Sequence, residues 1–185
     1  NDDGDYIGFA VVIGNPPYIK EYEGKEIFDG LRQNEVYQGK MDIWYLFAAD
    51  GLKLLRENGF LNYIAQNNWV TSAGAGKFRN FLLQNASIKK LLDFGSFMIF
   101  DSASIQTMIM FFQNKKSDNY CFDYRKLSGE GLTLENAEKL LSHIQSENTK
   151  YLKPLISIDK LLNKTFTFQN KEAEIVLVKM RNKSN

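Results

Sequence analysis

The chain has 185 residues, 44% of them hydrophobic and 14% aromatic, and its 23 basic and 22 acidic side chains nearly cancel. This length and composition predict one globular core, or one core and the start of a second. No apolar run reaches transmembrane length and no secretory signal is present, so we expect no membrane contact. A single cysteine and a single histidine exclude an internal disulfide and argue against a protein-built metal site, which fits a cytoplasmic protein.

Charge is distributed unevenly along the chain. Residues 1–114 carry 10 basic and 13 acidic side chains, whereas residues 115–185 carry 13 and 9. A basic segment suits an anionic partner such as nucleic acid, but an ordinary solvated surface has the same composition. Charge alone therefore leaves both interpretations open.

The first predicted strand leads into Asn15-Pro16-Pro17-Tyr18. Residues 9–13 are apolar and rich in β-branched side chains, which predicts a buried parallel strand. The tetrapeptide then lies at the carboxyl end of that strand, where open α/β sheets bind their ligands. The two prolines fix their own φ angles and hold the asparagine extended.

This loop offers hydrogen-bond acceptors rather than donors. Pro16 and Pro17 lack N–H groups, so the loop presents carbonyl oxygens and the side-chain amide of Asn15. Such a loop suits a planar exocyclic amine, and Tyr18 can stack on the ring that carries the amine. A plain proline-stiffened turn is the alternative, but it requires neither the asparagine nor the tyrosine.

Helix and strand patterns alternate after the loop. A polar loop over residues 19–40, with a short helix near residues 26–32, precedes a core helix over residues 41–55 that ends with Gly59 as a left-handed cap. Residues 60–65 form the next predicted strand. The polar segment 66–72 leaves this strand and again marks the ligand-binding edge of the sheet.

A helix and a hairpin are predicted next. Gly74-Ala75-Gly76 opens the helix, and the alternative of a phosphate loop lacks the third glycine or the Gly-Lys-Ser that it requires. Residues 88–94 and 105–112 can pair as an antiparallel hairpin at a sheet edge, with an aromatic loop at residues 97–104 between them. Asp93-Phe94-Gly95 spells the metal-binding triplet of protein kinases, but the other kinase motifs are absent and we interpret the match as coincidence.

The composition changes after residue 114. A polar break precedes a short strand at residues 120–124 and a helix capped by Thr133, with His143 on the surface. Alternating segments at residues 165–168 and 175–178 precede a basic terminus. We therefore divide the chain after residue 114.

Several motifs, at this spacing, resemble one family. They are Asn-Pro-Pro-Tyr after a strand, Lys-x-Asp-x-x-x-x-Phe at residues 40–47, Glu-Asn-Gly at residues 57–59, Asn68-Trp69, and Phe100 leading to Ala-Ser-Ile-Gln-Thr. Over residues 7–114 the chain is similar to gamma-class N6-adenine DNA methyltransferases of restriction-modification systems. Asn-Pro-Pro-Tyr alone is shared with glutamine and guanine N-methyltransferases, and the later motifs make the resemblance specific to the DNA enzymes.

The resemblance implies base flipping and methyl transfer from S-adenosylmethionine. The substrate would be double-stranded DNA with an adenine turned out of the helix. Asn15 and the Pro16 carbonyl would accept the two amine hydrogens, while Tyr18 would stack on the base and Phe100 would support it. No metal is implied.

The remaining matched positions concern the substrate and the cofactor. The resemblance assigns Asn68 and Trp69 to substrate binding, and Asp42 and Phe47 to the cofactor. In this family the glycine-rich cofactor motif precedes Asn-Pro-Pro-Tyr, and nothing before residue 7 supplies it. We therefore expect a fragment that lacks the amino-terminal half of its polypeptide and that, alone, binds S-adenosylmethionine weakly and methylates nothing.

The expected fold is α/β. Residues 1–114 would form a partial Rossmann-like methyltransferase sheet, mostly parallel with an antiparallel edge hairpin, and residues 115–185 the start of a target-recognition region. The predicted function is site-specific DNA adenine N6-methylation, with or without an attached restriction nuclease. The rival functions are methylation of protein glutamine or RNA guanine, and a non-catalytic DNA-binding module.

Overall fold

The computed structural model describes residues 4–100 and 105–168. The predicted aromatic loop is thus described only as far as Phe100, and the predicted segment 175–178 and the basic terminus lie outside the described residues. The strands are β1 (Phe9–Gly14), β2 (Leu55–Gln66), β3 (Ser87–Asp93), β4 (Thr107–Gln113), β5 (Asn119–Cys121), β6 (Asp123–Leu127), β7 (Thr149–Leu152) and β8 (Leu155–Ser157). The helices are α1 (Trp44–Lys53), α2 (Gly76–Asn85), α3 (Leu134–Leu141) and α4 (Ile158–Leu161).

Six strands form one sheet in the order β1-β2-β4-β3-β6-β7. The strands β1, β2, β3 and β6 run in one direction, while β4 and β7 oppose their neighbours. The α/β class and the mostly parallel direction are therefore confirmed. The hairpin of β3 and β4 forms as predicted, but the prediction that it lies at a sheet edge is wrong. The strand β4 pairs with both β2 and β3, and β6 continues the sheet beyond β3.

The strand β1 is at an edge of the sheet, parallel to β2. The prediction that it is buried is wrong, since Phe9 and Val11 are 53% and 52% exposed and Ile13 is 79% exposed. The apolar sequence is that of a strand covered by neighbours. Within the described ranges, β2 is its only partner strand. The result is an exposed apolar edge beside the Asn-Pro-Pro-Tyr loop.

Two apolar layers cover the faces of the sheet. The larger cluster joins α1 and α2 to inward-facing residues of the central strands, with Trp44, Phe78 and Phe112 at its centre. On the other face, α3 packs Leu140 against Leu92. This layered arrangement buries one face of the central strands β2 and β4 and leaves their other face half-buried.

The junction of α1 and β2 differs from the prediction. The helix ends at Lys53 and β2 begins at Leu55, earlier than the predicted residue 60. The left-handed residue is Asn58, with φ of 61°, rather than Gly59. A Cβ at Gly59 would lie 2.8 Å from the Phe9 carbonyl oxygen, so glycine is required there by the close approach of β1.

Residues beyond 114 continue the same sheet. The strand β6 pairs parallel with β3, and β7 pairs with β6. The predicted boundary after residue 114 therefore does not coincide with a break in the sheet, and a target-recognition role for residues 115–185 stays a prediction. Thr133 caps α3 as predicted, its backbone N–H donating to Asn136 Oδ1 at 2.9 Å. None of the helices in residues 4–100 and 105–168 is long and apolar enough to span a membrane.

Candidate functional site

Three loops leave the sheet at one edge. Because β1, β2 and β3 share a direction, their carboxyl ends at Gly14, Gln66 and Asp93 lie on the same side. The Asn-Pro-Pro-Tyr loop, the 3₁₀ helix Asn67–Val70 and the loop towards Phe100 all begin there. This edge is where the sequence predicted the site.

Tyr18 fixes the side chain of Asn15. Its hydroxyl lies 2.6 Å from Asn15 Oδ1 and 2.9 Å from the Ile64 carbonyl oxygen, and the single hydroxyl proton is shared between these two acceptors. Asn15 is exposed, whereas Pro16 is buried. Since an amide oxygen has two lone pairs, Asn15 Oδ1 can accept one more hydrogen bond from a ligand while Tyr18 holds it in place.

Tyr18 is a proton donor and not a base. Burial of its ring, with the nearby Asp42 carboxyl group, raises the pKa of the Tyr18 hydroxyl to about 12. The phenol is therefore neutral at physiological pH. The loop itself supplies hydrogen-bond acceptors at Asn15 and Pro16 without a group that titrates near neutrality.

The loop is tied to the start of α1. The Ile43 N–H donates to the Ile19 carbonyl at 2.9 Å, and the Glu21 N–H donates to the Met41 carbonyl at the same distance. The long polar segment that follows contains a 3₁₀ helix, Lys25–Phe28, and is anchored by the buried Phe28. This pairing brings the Lys-x-Asp-x-x-x-x-Phe motif beside Asn-Pro-Pro-Tyr.

Two adjoining cavities, which we call the polar cleft, open at this edge. They measure about 230 and 210 Å³ and share Lys20, Gln66 and Asn68. The first also reaches Asn67 and Gln106, and the second reaches Asp42, Lys40 and Ser72. Most of these side chains are polar, and the second cavity is lined by two cations, Lys20 and Lys40, and by the Asp42 carboxyl group.

Asp42 is buried in the wall of the polar cleft. It is 3% exposed; its Oδ1 lies 3.4 Å from the Trp44 N–H, and its Oδ2 has no partner among the residues that the structure describes. Burial raises the pKa of this carboxyl group to about 6, against the opposing effects of the Trp44 N–H and Lys20. The sequence assigned Asp42 to the cofactor, but the structure places it with Asn68.

The buried carboxyl group predicts a pH-dependent effect of Asp42→Asn. The pKa of Asp42 rises from 3.8 to about 6 on folding, so stability falls as pH rises through this window. Above the window the loss is about 3 kcal/mol, from 1.36 kcal/mol per unit of pKa. Urea unfolding should show that Asp42→Asn increases the free energy of unfolding at pH 8 and that the gain shrinks towards zero at pH 4. An equal effect at both pH values, with the exposed Asp159→Asn as control, would contradict this account.

Phe47 lies in a different cavity. It is 45% exposed and lines an apolar space of about 410 Å³ together with Val12, Leu54, Tyr63 and Asp50. This space adjoins the exposed strand β1 and shares no lining residue with the polar cleft. The cavity thus offers one half-exposed aromatic face and one carboxylate, and the cofactor role of Phe47 stays a prediction.

The other two predicted substrate residues beside β2 differ in their exposure. Trp69 is completely buried, and its Nε1 donates to the Met108 sulfur at 3.3 Å. The prediction that Trp69 contacts substrate is therefore wrong, because the indole fills the core between the sheet and α2. Asn68 is exposed in the polar cleft, with its Nδ2 3.3 Å from Gln66 Oε1. Phe100 is half-buried at the last described position of its loop.

Several polar residues of the polar cleft and its surroundings carry no signal in the sequence that would predict their position. Lys20 is one of several charged residues in a polar loop, and no motif in the sequence predicts that it lines a cavity together with Gln66. Asp93, seen only as part of a coincidental triplet, accepts hydrogen bonds from Asn67 Nδ2 and the Tyr124 hydroxyl, both at 2.9 Å. It also pairs with Lys126 at 3.4 Å. Asp93 thus orients Asn67 in the wall of the polar cleft.

The glycine pair at the start of α2 has a packing role. A Cβ at Gly74 would lie 2.1 Å from the Lys40 carbonyl oxygen, so only glycine permits this contact. The buried Gly74 thereby allows the segment before α2 to pack directly against the backbone of Lys40 and Met41. Close packing accounts for this glycine without a bound phosphate.

Comparison with known proteins places the chain in a family. The sequence model described as Eco57I restriction-modification methylase matches residues 2–100, more than half of the chain. The chain belongs to this family. The Escherichia coli type II restriction enzyme and methyltransferase RM.Eco57I is 29% identical over 145 residues, which are 76% of this chain and 14% of that protein. The Haemophilus influenzae type II methyltransferase M.HincII is 27% identical over 114 residues, 58% of this chain and 23% of that protein.

Solved structures agree with the fold of the Eco57I family member. The methyltransferase subunit of a type I restriction-modification system from Streptococcus thermophilus superposes with a TM-score of 0.54 at 20% identity, over 88% of this chain and 39% of the other. A nuclease-deletion mutant of the type ISP enzyme LlaGI, in complex with a DNA substrate mimic, gives 0.53 at 17% identity, over 88% and 18%. The chain spans less than a quarter of the length of the two relatives named above.

Proposed function

We propose that this chain forms the target-base half of an S-adenosylmethionine-dependent DNA adenine N6-methyltransferase. The observation that carries the proposal is the exposed Asn15 amide, held by Tyr18 at the open end of β1 beside a buried Pro16. The relatives of this chain include type II methyltransferases, and the structure of one neighbour, LlaGI, was solved in complex with a DNA substrate mimic. A combined nuclease, as in the name of the Escherichia coli relative, would lie outside these residues.

The proposed chemistry uses two acceptors and no base. An adenine amine is conjugated with its ring and is a weak nucleophile. Asn15 Oδ1 and the Pro16 carbonyl would each accept one amine hydrogen, which bends the amine towards tetrahedral geometry and exposes its lone pair. Because the neutral Tyr18 holds Asn15 in place, the acceptor is preorganised before the base arrives. S-adenosylmethionine would supply the methyl group from its positively charged sulfur: the S–C bond breaks as the N–C bond forms, S-adenosylhomocysteine leaves, and the methylated amine then releases one proton to water.

Aromatic side chains would offset the cost of flipping. Extruding a base costs a few kcal/mol, and stacking on an aromatic ring returns about 1–3 kcal/mol. We assign the stacking ring to Tyr18 and a supporting contact to Phe100. These two contacts are proposals about the bound state, in which the loop after β3 approaches Asn-Pro-Pro-Tyr.

The cofactor would be shared with an amino-terminal half of the same polypeptide. The exposed edge of β1, with Phe9, Val11 and Ile13, and the half-exposed Phe47 offer the apolar surface that such a half would cover. By the intact methyltransferase we mean this chain joined to that half. The basic residues beyond 114 would contact DNA in the same assembly.

Calorimetry can test the division of the cofactor site. We expect residues 1–185 alone to bind S-adenosylmethionine weakly, with no heat signal at low micromolar concentrations, because the described cavity supplies one aromatic face and one carboxylate. The intact methyltransferase should bind it in the micromolar range. Low-micromolar binding by the isolated chain would show that these residues hold a complete cofactor site.

A methyl-transfer assay tests the proposed reaction. The intact methyltransferase should transfer a labelled methyl group to duplex DNA, and digestion to nucleosides should give N6-methyladenosine in its deoxy form. Protein with free glutamine side chains and ribosomal RNA serve as rival acceptors. Label in either rival instead of DNA would overturn the proposal, and DNA binding without transfer to any acceptor would favour a non-catalytic module.

A further inference from the structure

The polar cleft has a composition that the proposed chemistry does not use. Methyl transfer needs Asn15, Pro16 and Tyr18, yet the cleft beside them brings together a cation at Lys20, amides at Gln66 and Asn68, and the carboxyl group of Asp42. Asp42 is only 3% exposed, and its Oδ2 has no partner among the described residues. A buried acceptor without a donor is costly unless a ligand supplies one.

The cleft adjoins the proposed base pocket. In the parallel pair of β1 and β2, Gly14 lies opposite Tyr63, so the residues that follow each strand are neighbours at the sheet edge. Adjacent strands are about 4.8 Å apart. Lys20 follows Tyr18 by two residues and reaches the cleft from the same loop. A strand whose target base is at Asn15 would therefore have its next nucleotide at the cleft.

The chemistry of the cleft matches a nucleotide. Lys20 and Lys40 can neutralise a phosphate, and side-chain amides pair with the donor and acceptor edges of bases. A carboxylate repels the phosphate backbone, so it must contact a hydrogen-bond donor instead. The donors that DNA base pairs expose in their grooves are the amino groups of the bases. Asp42 thus selects for a base with an amino group rather than for phosphate.

We propose that the polar cleft binds the nucleotide next to the target base on the same strand, with Lys20 on its phosphate and Asp42 on an amino group of its base. The inference rests on the proposed function and deepens it, because it makes the cleft a determinant of sequence preference. The cofactor is the competing ligand for Asp42, through its ammonium group. The separation of the cleft from the Phe47 cavity favours the nucleotide.

The phosphate contact is tested with Lys20→Ala in the intact methyltransferase. Lys89→Ala is the matched control, because Lys89 is exposed near the amino-terminal end of β3, whereas the site lies at the carboxyl end of that strand. Fluorescence anisotropy with the cognate duplex between 50 and 200 mM salt should show that Lys20→Ala weakens binding by about 10-fold at low salt and reduces the salt slope by about 0.9. Lys89→Ala should change neither quantity by a comparable amount.

The base contact is tested with Asp42→Asn. Asparagine keeps an oxygen for the Trp44 N–H and replaces the second acceptor by a donor. With duplexes that vary the base on either side of the target adenine, the unmodified protein should prefer a base that carries an amino group at one of the two positions, and Asp42→Asn should reduce that preference by about 10-fold. Asn68→Ala, which removes an exposed amide, should weaken the same preference without a risk to folding.

The outcomes separate this inference from the proposed function. If the unmodified protein methylates adenine but Lys20→Ala matches Lys89→Ala, and neither Asp42→Asn nor Asn68→Ala alters base preference, the inference is wrong while the function stands. If Asp42→Asn weakens binding of S-adenosylmethionine and leaves DNA binding unchanged, Asp42 belongs to the cofactor and the inference is likewise wrong. A change in base preference with unchanged cofactor affinity supports it.

Discussion

Replacing Asn15 by alanine is expected to abolish methyl transfer by the intact methyltransferase while leaving DNA binding intact. The substitution removes one of the two proposed acceptors for the amine hydrogens. Loss of one preorganised hydrogen-bonding group at a reacting centre lowers kcat by about 10²–10³-fold. The exposed position of Asn15 means that little of the core is disturbed. Single-turnover methylation of a duplex, with anisotropy for binding, measures both quantities.

The matched control for this prediction is Asn119→Ala. Asn119 is an exposed asparagine of β5 and lies outside the sheet that carries the site. It should leave both methylation and binding unchanged. Asn15→Ala protein that methylates at the unmodified rate would remove the amide from the mechanism, and Asn15→Ala protein that fails to bind DNA would assign Asn15 to recognition instead.

The position of the site was predictable because it depends on local rules. Two prolines after a β-branched run place Asn15 at the end of a strand whatever the remaining fold. Parallel strands bring their carboxyl ends to one edge, so the segment at Gln66 was expected near Asn15 as well. The pairing of β3 with β4 was predicted from their succession in the chain, and it forms although residues 94–106 separate the two strands.

Other features depend on contacts between distant residues, which no local pattern records. The strand β4 lies between β2 and β3 because it pairs with both, and the hairpin is internal because β6 pairs with β3. The left-handed residue is Asn58, and Gly59 is required for a different reason, because β1 approaches it too closely for any side chain. Lys20 and Asn68 face each other across the polar cleft although 48 positions separate them in the sequence.

Asp42 shows why a sequence motif can be placed without its role being known. Asp42 immediately precedes Ile43, the N-cap of α1, and its Oδ1 lies 3.4 Å from the Trp44 nitrogen. Its buried second oxygen raises the pKa to about 6 and lowers stability at neutral pH. Asparagine would keep the contact with the Trp44 N–H without the cost of burying a charge. A carboxyl group at this position is therefore better explained by a ligand that donates a hydrogen bond to it.

Trp69→Ala is expected to destabilise the protein by about 3–5 kcal/mol, the usual cost of removing a buried tryptophan. The indole makes edge-on contacts with Phe78, Phe112 and Phe166, at centroid distances of 5.7, 5.8 and 5.7 Å, and no part of it reaches solvent. Removing it would leave a cavity where α2 meets the sheet. Urea unfolding at pH 7 measures the loss.

A core role and a substrate role for Trp69 predict different results for Trp69→Phe. Phenylalanine retains much of the aromatic packing but loses the Nε1 contact with Met108, so it should recover most of the stability lost in Trp69→Ala. If Trp69 instead contacted substrate, Trp69→Ala would unfold at the same urea concentration as the unmodified protein and would weaken only DNA binding. Full burial of the indole requires the first result, because a side chain enclosed by three aromatic rings cannot be removed without exposing them.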